Sequence, residues 1–473
     1  MNSVHDPGRV GVGGDLAGFR HELYRCFTAR ADALFELTDA VLCAEGPVTT
    51  LVGLSLVGEH RRGHGGLYDA VAAGGVDIAR LRRTLAGLPV PRDRHGRIAL
   101  AVDVSPWLRP DAVTSDDRCF CHVHGRGRGS AQMIPGWPYS FVAALEAGAS
   151  SWCALLDVQR LRRDDDATAV TAAQVRNVVG RLIIAGHHGP GDAPIMIVFD
   201  AGYDICRLAW LLADLPVELV GRVRSDRVFC FPAVAASRTG RPPRHGPVLS
   251  LADSGTHPEP VVATSTDTTR YGVARAETWA RLHPRLVHQG RWAEHPGELP
   301  IIEGSLVRLT VDRLPGDRSP KPLWLWTSRA ELTPGQMDRC WQWFLRRFDL
   351  EHTFRFAKQT LGWTRPRIRS SEQGDRWTWL IVAAHTQLRL ARGLTDDLRR
   401  PWEKPVTNPH LLTPARVRRG FRHLRRKTLL PASAPKPSRP GPGRPKGSPN
   451  RHTAPHPDVG KTRVAPATPG PHG

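Results

Sequence analysis

The stretch Ile195-Met-Ile-Val-Phe-Asp200 consists of five apolar residues and a final acid, and Ile98-Ala-Leu-Ala-Val-Asp-Val104 has nearly the same form. Short apolar runs of this length are typical of buried strands. Similar runs at Trp152–Val158 and Val217–Val223 alternate with helical spacing of apolar residues over Ala167–Ala185. Strands that alternate with helices predict an α/β sheet that is at least partly parallel. Acids at the carboxyl ends of such strands point into the crevice where open α/β sheets bind ligands.

The patterns outside these strands divide the chain into further segments. Apolar residues spaced by three and four positions predict a small helical domain at 16–90, a candidate for DNA binding. Short alternating runs broken by Gly, Pro, Ser and Thr predict a β-rich insertion at 231–330. Two long helices follow, at about 334–362 and 375–394, while Pro135-Gly-Trp-Pro138 predicts a turn. The full division is a disordered N-terminus at 1–15, the helical domain at 16–90, an α/β core at 95–230, the insertion at 231–330, the rest of the core at 331–400, and a basic, Pro-rich, largely disordered tail at 401–473.

The composition points to a partner with negative charge. The chain has 66 Lys and Arg residues against 45 Asp and Glu, which gives a formal net charge of +21 and a pI of about 10.6. A phosphate backbone suits this excess, because each neutralised phosphate releases counterions. The alternative is a genome of high GC content, which over-uses Arg codons. We therefore expect double-stranded DNA as the partner.

The cysteines and the apolar segments indicate the compartment. Eight cysteines are scattered without a CxxC pair, which predicts reduced thiols. Cys119-Phe-Cys121-His122-Val-His124 has metal-ligand residue types, but its spacing is tighter than the usual zinc pattern, so its role stays open. The N-terminus lacks a basic start followed by an apolar core, and no apolar run of about 18 residues occurs. We expect a cytoplasmic protein associated with the nucleoid, with no membrane partner.

A third acid stands out on the first of the two long helices. Four residues there are separated by three, four and seven positions: Phe344, Arg347, Glu351 and Lys358. At about 100° per residue these positions share one helix face, and Arg355 lies off it. A face with a carboxylate between two cations suits a site where the carboxylate holds a metal ion while the cations bind a polyanion. The alternative is a solvated charged face, the common fate of such charges.

This spacing resembles the Tyr-Arg-Glu-Lys signature of a large group of bacterial insertion-sequence DDE transposases, with Phe344 in place of the usual Tyr. Asp200-Ala-Gly-Tyr203 is similar to the second-acid motif of that group, and Val102-Asp-Val-Ser105 fits its first-acid strand less specifically. The resemblance covers about residues 95 to 365. It implies an RNase H-like catalytic core with a β-rich insertion between the second and third acids, which agrees with the segment predicted at 231–330.

The resemblance also implies that Asp103, Asp200 and Glu351 are the catalytic acids and the metal ligands. Two Mg²⁺ ions, for which Mn²⁺ substitutes, would serve in-line attack on a phosphodiester, and hard ions of this kind prefer carboxylates. We expect Asp103 to bridge both ions and the other two acids to hold one ion each. Water would first free a 3′-hydroxyl at the transposon end, and this hydroxyl would then attack target DNA. Asp204 competes with Asp200 as the second acid, but it is predicted to lie inside the following helix.

The expected DNA contacts are basic residues from three parts of the chain. Arg suits bidentate binding of phosphate, and Lys acts as a point charge. The glycine-flanked arginines at 125–129 can bring cations and backbone amides to a phosphate, and an Arg-Pro pair at 443–447 can lie in a narrow minor groove. The candidates are Arg347, Lys358, Arg355, Arg126, Arg128, Arg444 and Lys446. The expected partners are the terminal repeats of the transposon and target DNA, with a homodimer when two ends are synapsed.

Two other functions fit part of the pattern. A non-catalytic DNA-binding protein derived from a transposase would keep the positive charge without using the three acids. A purely hydrolytic DNA nuclease would use the acids for cleavage alone. Cleavage in Mg²⁺ or Mn²⁺ separates the first alternative from a transposase, and joining of pre-cut ends separates the second.

Overall fold

In the part of the chain that the structure describes, twelve strands form one mixed sheet covered by helices, and two further short strands form a separate ribbon. The structure is a computed structural model that describes residues 12–115, 117–123, 132–148, 150–233, 243–314 and 320–436. This mixed α/β architecture agrees with the fold class predicted from the alternating strand and helix patterns. Within the described ranges, no helix is both long enough and apolar enough to cross a bilayer.

The strands of the described residues are β1 Phe27–Ala29, β2 Gly75–Val76, β3 Ala99–Leu108, β4 Cys119–Val123, β5 Gln132–Leu145, β6 Cys153–Arg160, β7 Ile195–Phe199, β8 Val217–Arg222, β9 Val228–Pro232, β10 His245–Ser250, β11 Val262–Thr268, β12 Gly272–Pro284, β13 Gly304–Val311 and β14 Leu323–Thr327. The helices are α1 Val12–Cys26, α2 Ala31–Cys43, α3 Leu51–Ser55, α4 His64–Ala73, α5 Ile78–Ala86, α6 Ala167–Ile184, α7 Ile205–Leu211, α8 Pro334–Arg346, α9 Phe348–Gln359, α10 Ser371–Ala391 and α11 Pro414–Arg426.

The centre of the sheet has the order β6-β5-β3-β7-β8. β3, β5 and β6 pair antiparallel, whereas β7 pairs parallel with both β3 and β8. α6 lies in the chain between β6 and β7, and α7 lies between β7 and β8. All five residues of β7 are inaccessible to solvent, as its continuous apolar sequence predicts for a central parallel strand.

The β-rich segment extends this same sheet. β10 to β14 fall within the predicted insertion at 231–330, and β9 spans its start. The strand order β10-β9-β12-β13-β14 continues into β8, because β14 pairs antiparallel with β8. The insertion therefore shares one sheet with the core.

The segment Pro135-Gly-Trp-Pro138 is part of β5, so the predicted turn is wrong. Pro138 lies opposite Pro106 of β3, and its carbonyl accepts from the Leu161 N–H at 2.9 Å, just beyond the end of β6. The missing N–H of Pro138 therefore falls where the β5–β6 ladder ends. A proline at such a position removes little pairing from a strand.

The N-terminal helices pack together with helices from the other end of the chain. One hydrophobic cluster includes Phe19 of α1, Leu37 of α2, Leu388 of α10 and Phe421 of α11. α11 lies inside the segment 401–473 that the sequence predicts as a largely disordered tail. Val417 and Phe421, four residues apart on α11, form a buried stripe that anchors this helix. The predicted disordered N-terminus at 1–15 likewise overlaps α1, which starts at Val12, and residues 1–11 and 437–473 lie outside the described residues.

His385 on α10 is buried near the rings of Trp152 and Phe356. Neither ring nitrogen of His385 has a hydrogen-bond partner among the described residues. Burial lowers the pKa of its imidazole to about 4, and Arg389 acts in the same direction. An unfolded histidine takes up a proton near pH 6.5, so the free energy of unfolding should fall as the pH decreases from about 6.5 to about 4.

We expect His385→Leu to remove this part of the acid sensitivity. In the wild-type protein, His385 alone should lower the free energy of unfolding by about 3 kcal/mol at pH 4 relative to neutral pH. One pKa unit corresponds to about 1.4 kcal/mol. Urea unfolding between pH 4 and pH 7.5 measures the effect. His21→Gln, on an exposed position of α1, is the control. If the free energy of unfolding of His385→Leu depends on pH as steeply as that of the wild type, other groups cause the acid sensitivity.

Candidate active site

Two of the predicted acids lie side by side because of strand pairing. The parallel ladder between β3 and β7 ends where Val102 lies opposite Phe199. The next residues on the two strands are Asp103 and Asp200. Neighbouring strands lie about 4.8 Å apart, so both acids emerge at the same edge of the parallel pair. β3 continues beyond Asp103, which therefore lies within its strand and not at its end.

The third predicted acid, Glu351, comes from α9. The sequence predicts one continuous helix at about 334–362, but the structure divides it into α8 and α9 with a break at Arg347. The Arg347 N–H donates to the Phe344 carbonyl at 3.1 Å, and the Leu350 N–H donates to the Arg347 carbonyl at 3.0 Å. These bonds span three residues and not four, so the backbone is tightened at this point, a feature often found at functional positions.

One guanidinium connects all three acids. Arg347 Nη1 donates to Asp103 Oδ2 at 2.8 Å, and Arg347 Nη2 donates to Glu351 Oε1 at 3.0 Å. Nη2 also lies 3.5 Å from Asp200 Oδ2. The Arg347 side chain is 4% exposed, whereas the side chains of Asp103, Asp200 and Glu351 are 17%, 37% and 46% exposed. The acids therefore face solvent around a buried cation that stands between them.

The site has more negative than positive charge. Burial raises the pKa of the Asp103 carboxyl to about 6; the Arg347 guanidinium opposes this rise and the Asp200 carboxylate adds to it. Asp103 Oδ1 accepts from the Val104 N–H at 2.9 Å. Asp200 Oδ1 is buried, with no hydrogen-bond partner in the described part of the chain. Three hard oxygen donors with incomplete compensation suit divalent cations.

Aromatic rings surround the Arg347 side chain and the strand ends. The guanidinium carbon lies 5.9 Å from the ring centre of Phe344 and 5.2 Å from that of Phe348. Phe344 is buried, so it serves packing and not a surface contact. Tyr203, in the motif after Asp200, packs its ring against Phe199, and burial raises the pKa of its hydroxyl well above the ordinary value.

The predicted DNA-contact residues take different positions. Arg347 points inward to the acids and not to a surface that DNA can reach. Lys358 is half-buried, its Nζ lies 5.5 Å from the ring centre of Trp363, and burial lowers the pKa of its ammonium group to about 8. Arg355 is exposed on α9, one turn after Glu351. The remaining candidates lie outside the described residues: Arg126, Arg128, Arg444 and Lys446.

A basic segment after α9 was not among the predicted contacts. Arg365, Arg367 and Arg369 are exposed, whereas Pro366 and Ile368 between them are buried. The Arg109 guanidinium donates to the Ile368 carbonyl, which fixes the segment to the end of β3. The alternation of basic and apolar residues is visible in the sequence and is the signal that could have identified this surface.

The tight Cys/His motif of β4 is divided between two faces of the strand. Cys119 and Cys121 are buried on one face, and His122 is exposed on the other. His124 lies outside the described residues. Side chains alternate along a strand, so neighbouring ligand types at this spacing point in opposite directions.

A family model described as DDE superfamily endonuclease matches residues 22–285, more than half of the chain. The match contains Asp103 and Asp200 and ends before Glu351. No curated protein matches the chain. The chain therefore belongs to the DDE superfamily of endonucleases, which act on DNA and use divalent metal ions.

Proposed function

We propose that this protein is a DNA transposase, which cleaves transposon ends and joins them to target DNA by two-metal-ion phosphoryl transfer. The observation that carries the proposal is the meeting of three carboxylates, from β3, from the end of β7 and from α9, at one guanidinium. Membership of the endonuclease family supports the cleavage step. The spacing around Glu351 supports the narrower assignment to the Tyr-Arg-Glu-Lys group of bacterial insertion sequences.

We also propose that the core is RNase H-like. The order β6-β5-β3-β7-β8, with three antiparallel strands followed by two that run parallel to β3, supports this assignment. The chain passes through the β-rich strands between β8 and α8, which is between the second and third acids. A long insertion at this point does not separate the acids. Its strands extend the sheet beyond β8, on the side away from β7 and β3.

The donor set fits two divalent ions. Asp103, the most buried of the three acids, would hold the ions together with Asp200 and Glu351. The buried, unpaired Asp200 Oδ1 is the atom most in need of a cation among those described at the site. Bound ions of this kind activate the nucleophile and stabilise the leaving oxygen of an in-line displacement. Mg²⁺ is the proposed ion, with Mn²⁺ as a substitute.

The protein side chains would orient the acids and hold the DNA. Arg347 fixes the three carboxylates relative to one another through a planar group with several donors. Arg355 and the exposed arginines after α9 present cations outside the acids, where a phosphate backbone can reach them. Lys358, which is half-buried and interacts with Asp103, is proposed as a DNA contact nearer to the three acids. Arg126, Arg128, Arg444 and Lys446 remain proposed DNA contacts on the basis of the sequence.

The test is an assay with DNA that carries the terminal repeats of the element. We expect Mg²⁺- or Mn²⁺-dependent nicking at the repeat ends, and joining of pre-cut ends with free 3′-hydroxyls to target DNA. Nicking without joining would favour a purely hydrolytic nuclease. Binding without nicking in either ion would favour a non-catalytic DNA-binding protein. The size of the complex with two ends tests the proposed homodimer.

Arg347→Met should separate the roles of the guanidinium and the ions. Removal of the buried cation leaves three carboxylates facing one another, and breaking buried ion pairs costs about 3–5 kcal/mol. The partial exposure of the acids reduces this, so we expect a loss of about 1–3 kcal/mol in metal-free buffer. Mn²⁺ should raise the melting temperature of the variant more than that of the wild-type protein, because the ion supplies the missing positive charge.

Thermal unfolding with EDTA and with Mn²⁺ measures both effects. Arg355→Met is the matched control, since Arg355 is an exposed arginine on α9, the helix that begins directly after Arg347. An Arg347→Met protein that is as stable as the wild type in EDTA would contradict the structural role. Equal shifts of the melting temperature by Mn²⁺ in Arg347→Met and the wild type would contradict the expectation that the ion replaces the charge of Arg347.

A further inference from the structure

A second group of ligand-type side chains lies at the edge of the sheet. Cys230 on β9, His245 at the start of β10 and His283 near the end of β12 place one donor atom each within 4.8 Å of one another. His245 Nδ1 and His283 Nε2 are 2.9 Å apart. Cys230 and His283 are buried and His245 is half-buried. β13, β14 and β8 separate these strands from β7, so the group is distinct from the three acids.

The backbone holds these three side chains on neighbouring strands. His283 lies directly opposite Cys230 in the β12–β9 ladder, and His245 pairs with Pro232 at the other edge of β9. The β12–β13 register shifts between Trp279 and Leu282, and Arg281 within this bulge has a φ of 59°. A positive φ is uncommon for a residue other than glycine. Bulges of this kind re-aim side chains and recur beside functional sites.

We propose that Cys230, His245 and His283 bind a zinc ion that joins the three neighbouring strands β9, β10 and β12. One sulfur and two imidazole nitrogens are borderline-soft donors, which favour Zn²⁺ over Mg²⁺. Zn–N bonds of about 2.0–2.1 Å in a tetrahedral site place two ligand nitrogens roughly 3.3 Å apart. The observed 2.9 Å therefore requires only a small separation of the two rings. A water molecule would complete four ligands.

Two arginines lie near the group, so a bound cation there needs a negatively charged ligand. Metal ions bind imidazole in its neutral form, and His283 is buried while His245 is half-buried. Arg285 and Arg244 bring positive charge close to His245. A Cys230 thiolate in the ligand set would offset this charge. The alternative is that no metal binds and the two neutral rings share an N–H···N hydrogen bond.

The test uses the full-length protein after chelation, titrated with Zn²⁺ against a chromophoric chelator and with Co²⁺ in the spectrophotometer. We expect one equivalent of Zn²⁺ bound, and a near-ultraviolet band from sulfur-to-cobalt charge transfer. Carboxylate-bound Co²⁺ at the three acids gives no such band. Cys230→Ser should abolish the band and weaken Zn²⁺ binding by at least about 100-fold, because the thiolate contributes much of the affinity of such sites.

Cys119→Ser is the matched control, since Cys119 is also buried on a strand of the same sheet, and it should keep both signals. His245→Gln, at the half-buried position, is a second variant and should weaken Zn²⁺ binding while keeping the fold. Melting temperatures in EDTA show whether each variant folds. The proposal would be overturned if Co²⁺ added to the chelated wild-type protein gave no charge-transfer band. It would also be overturned if Cys230→Ser folded and bound Zn²⁺ with unchanged affinity. Either result would leave the imidazole–imidazole bond as the explanation.

Discussion

Asp103→Asn, Asp200→Asn and Glu351→Gln are each expected to reduce DNA cleavage by at least about 10³-fold while DNA binding persists. The amides keep the size of the side chains but remove the negative charge that holds a divalent ion. Bound ions contribute several kcal/mol to transition-state stabilisation in such reactions, and about 1.4 kcal/mol corresponds to a tenfold change in rate. Nicking of terminal-repeat DNA in Mg²⁺ and Mn²⁺ measures cleavage, and electrophoretic mobility measures binding.

Two matched substitutions separate metal binding from a general loss of charge. Asp204 lies four residues after Asp200, but its carboxylate accepts from the Arg207 N–H at 3.0 Å and caps α7. Asp204→Asn keeps that cap, since Asn is an equally good capping residue. Glu331 is exposed before α8, which makes Glu331→Gln the control for Glu351→Gln. Both controls should cleave like the wild type.

The outcomes identify each acid separately. Full cleavage by any one of the three amide variants would remove that residue from the proposed site. A comparable loss in Asp204→Asn would mean that the second acid is not Asp200 alone. Because each amide also weakens its contact with Arg347, melting temperatures are measured in parallel, and a variant that unfolds under the assay conditions does not count as inactive.

Asp103 and Asp200 could be placed from the sequence because their signals are local. An apolar run that ends on an acid predicts a buried strand and the edge to which the acid points. Strand pairing then brings the two positions together, and β3 and β7 do so in the structure. α6 and α10 likewise begin and end within a few residues of their predicted limits, because their apolar spacing continues without interruption.

The position of Arg347 could not be predicted in this way. Its φ and ψ of −53° and −31° are helical, so the periodicity of the sequence contains no sign of the break between α8 and α9. Its burial depends on three carboxylates, two of which are far away in the chain. The spacing that places Arg347 and Glu351 on one face agrees with their contact, but Arg347 faces the group of acids and not solvent.

Other features depend on contacts between distant segments. The residues Cys230, His245 and His283 have no regular spacing, and only the pairing of β10, β9 and β12 brings them together. The basic composition after residue 401 suggests disorder, yet α11 has partners at the other end of the chain. The Arg418 guanidinium donates to the carbonyl of Val41, in the last turn of α2, and to that of Gly46, beyond the end of the helix. Basic residues of the predicted tail thus serve as buried donors.

The same contacts make Asp39 on α2 a centre of stability. Arg20 of α1 donates to both Asp39 carboxylate oxygens, at 2.7 and 3.0 Å, and Arg425 of α11 donates to Oδ2 at 2.5 Å. Arg20 also donates to Gln387 of α10 at 2.5 Å. Arg20 and Asp39 are 2% and 1% exposed. One carboxylate therefore links α1, α2 and α11, and through Arg20 it also links α10.

Asp39→Asn is expected to lower the free energy of unfolding by about 3–5 kcal/mol, because it leaves two guanidinium groups without their shared counter-charge in a buried site. Urea unfolding followed by circular dichroism measures this loss. Glu22→Gln on α1 is the control: Glu22 also pairs with two arginines, Arg25 and Arg80, but at the surface, where such pairs contribute about 0–1 kcal/mol.

The double variant Arg20→Met with Asp39→Leu distinguishes the cost of an unpaired charge from the worth of the pair. Replacement of a buried pair by apolar residues of similar size is often neutral, so the double variant should be more stable than Asp39→Asn alone. Arg425 limits this recovery, since it also loses its carboxylate partner. An Asp39→Asn loss no larger than that of Glu22→Gln would mean that hydrophobic packing of Phe421 and its neighbours, and not the ion pairs, holds α11 against the N-terminal helices.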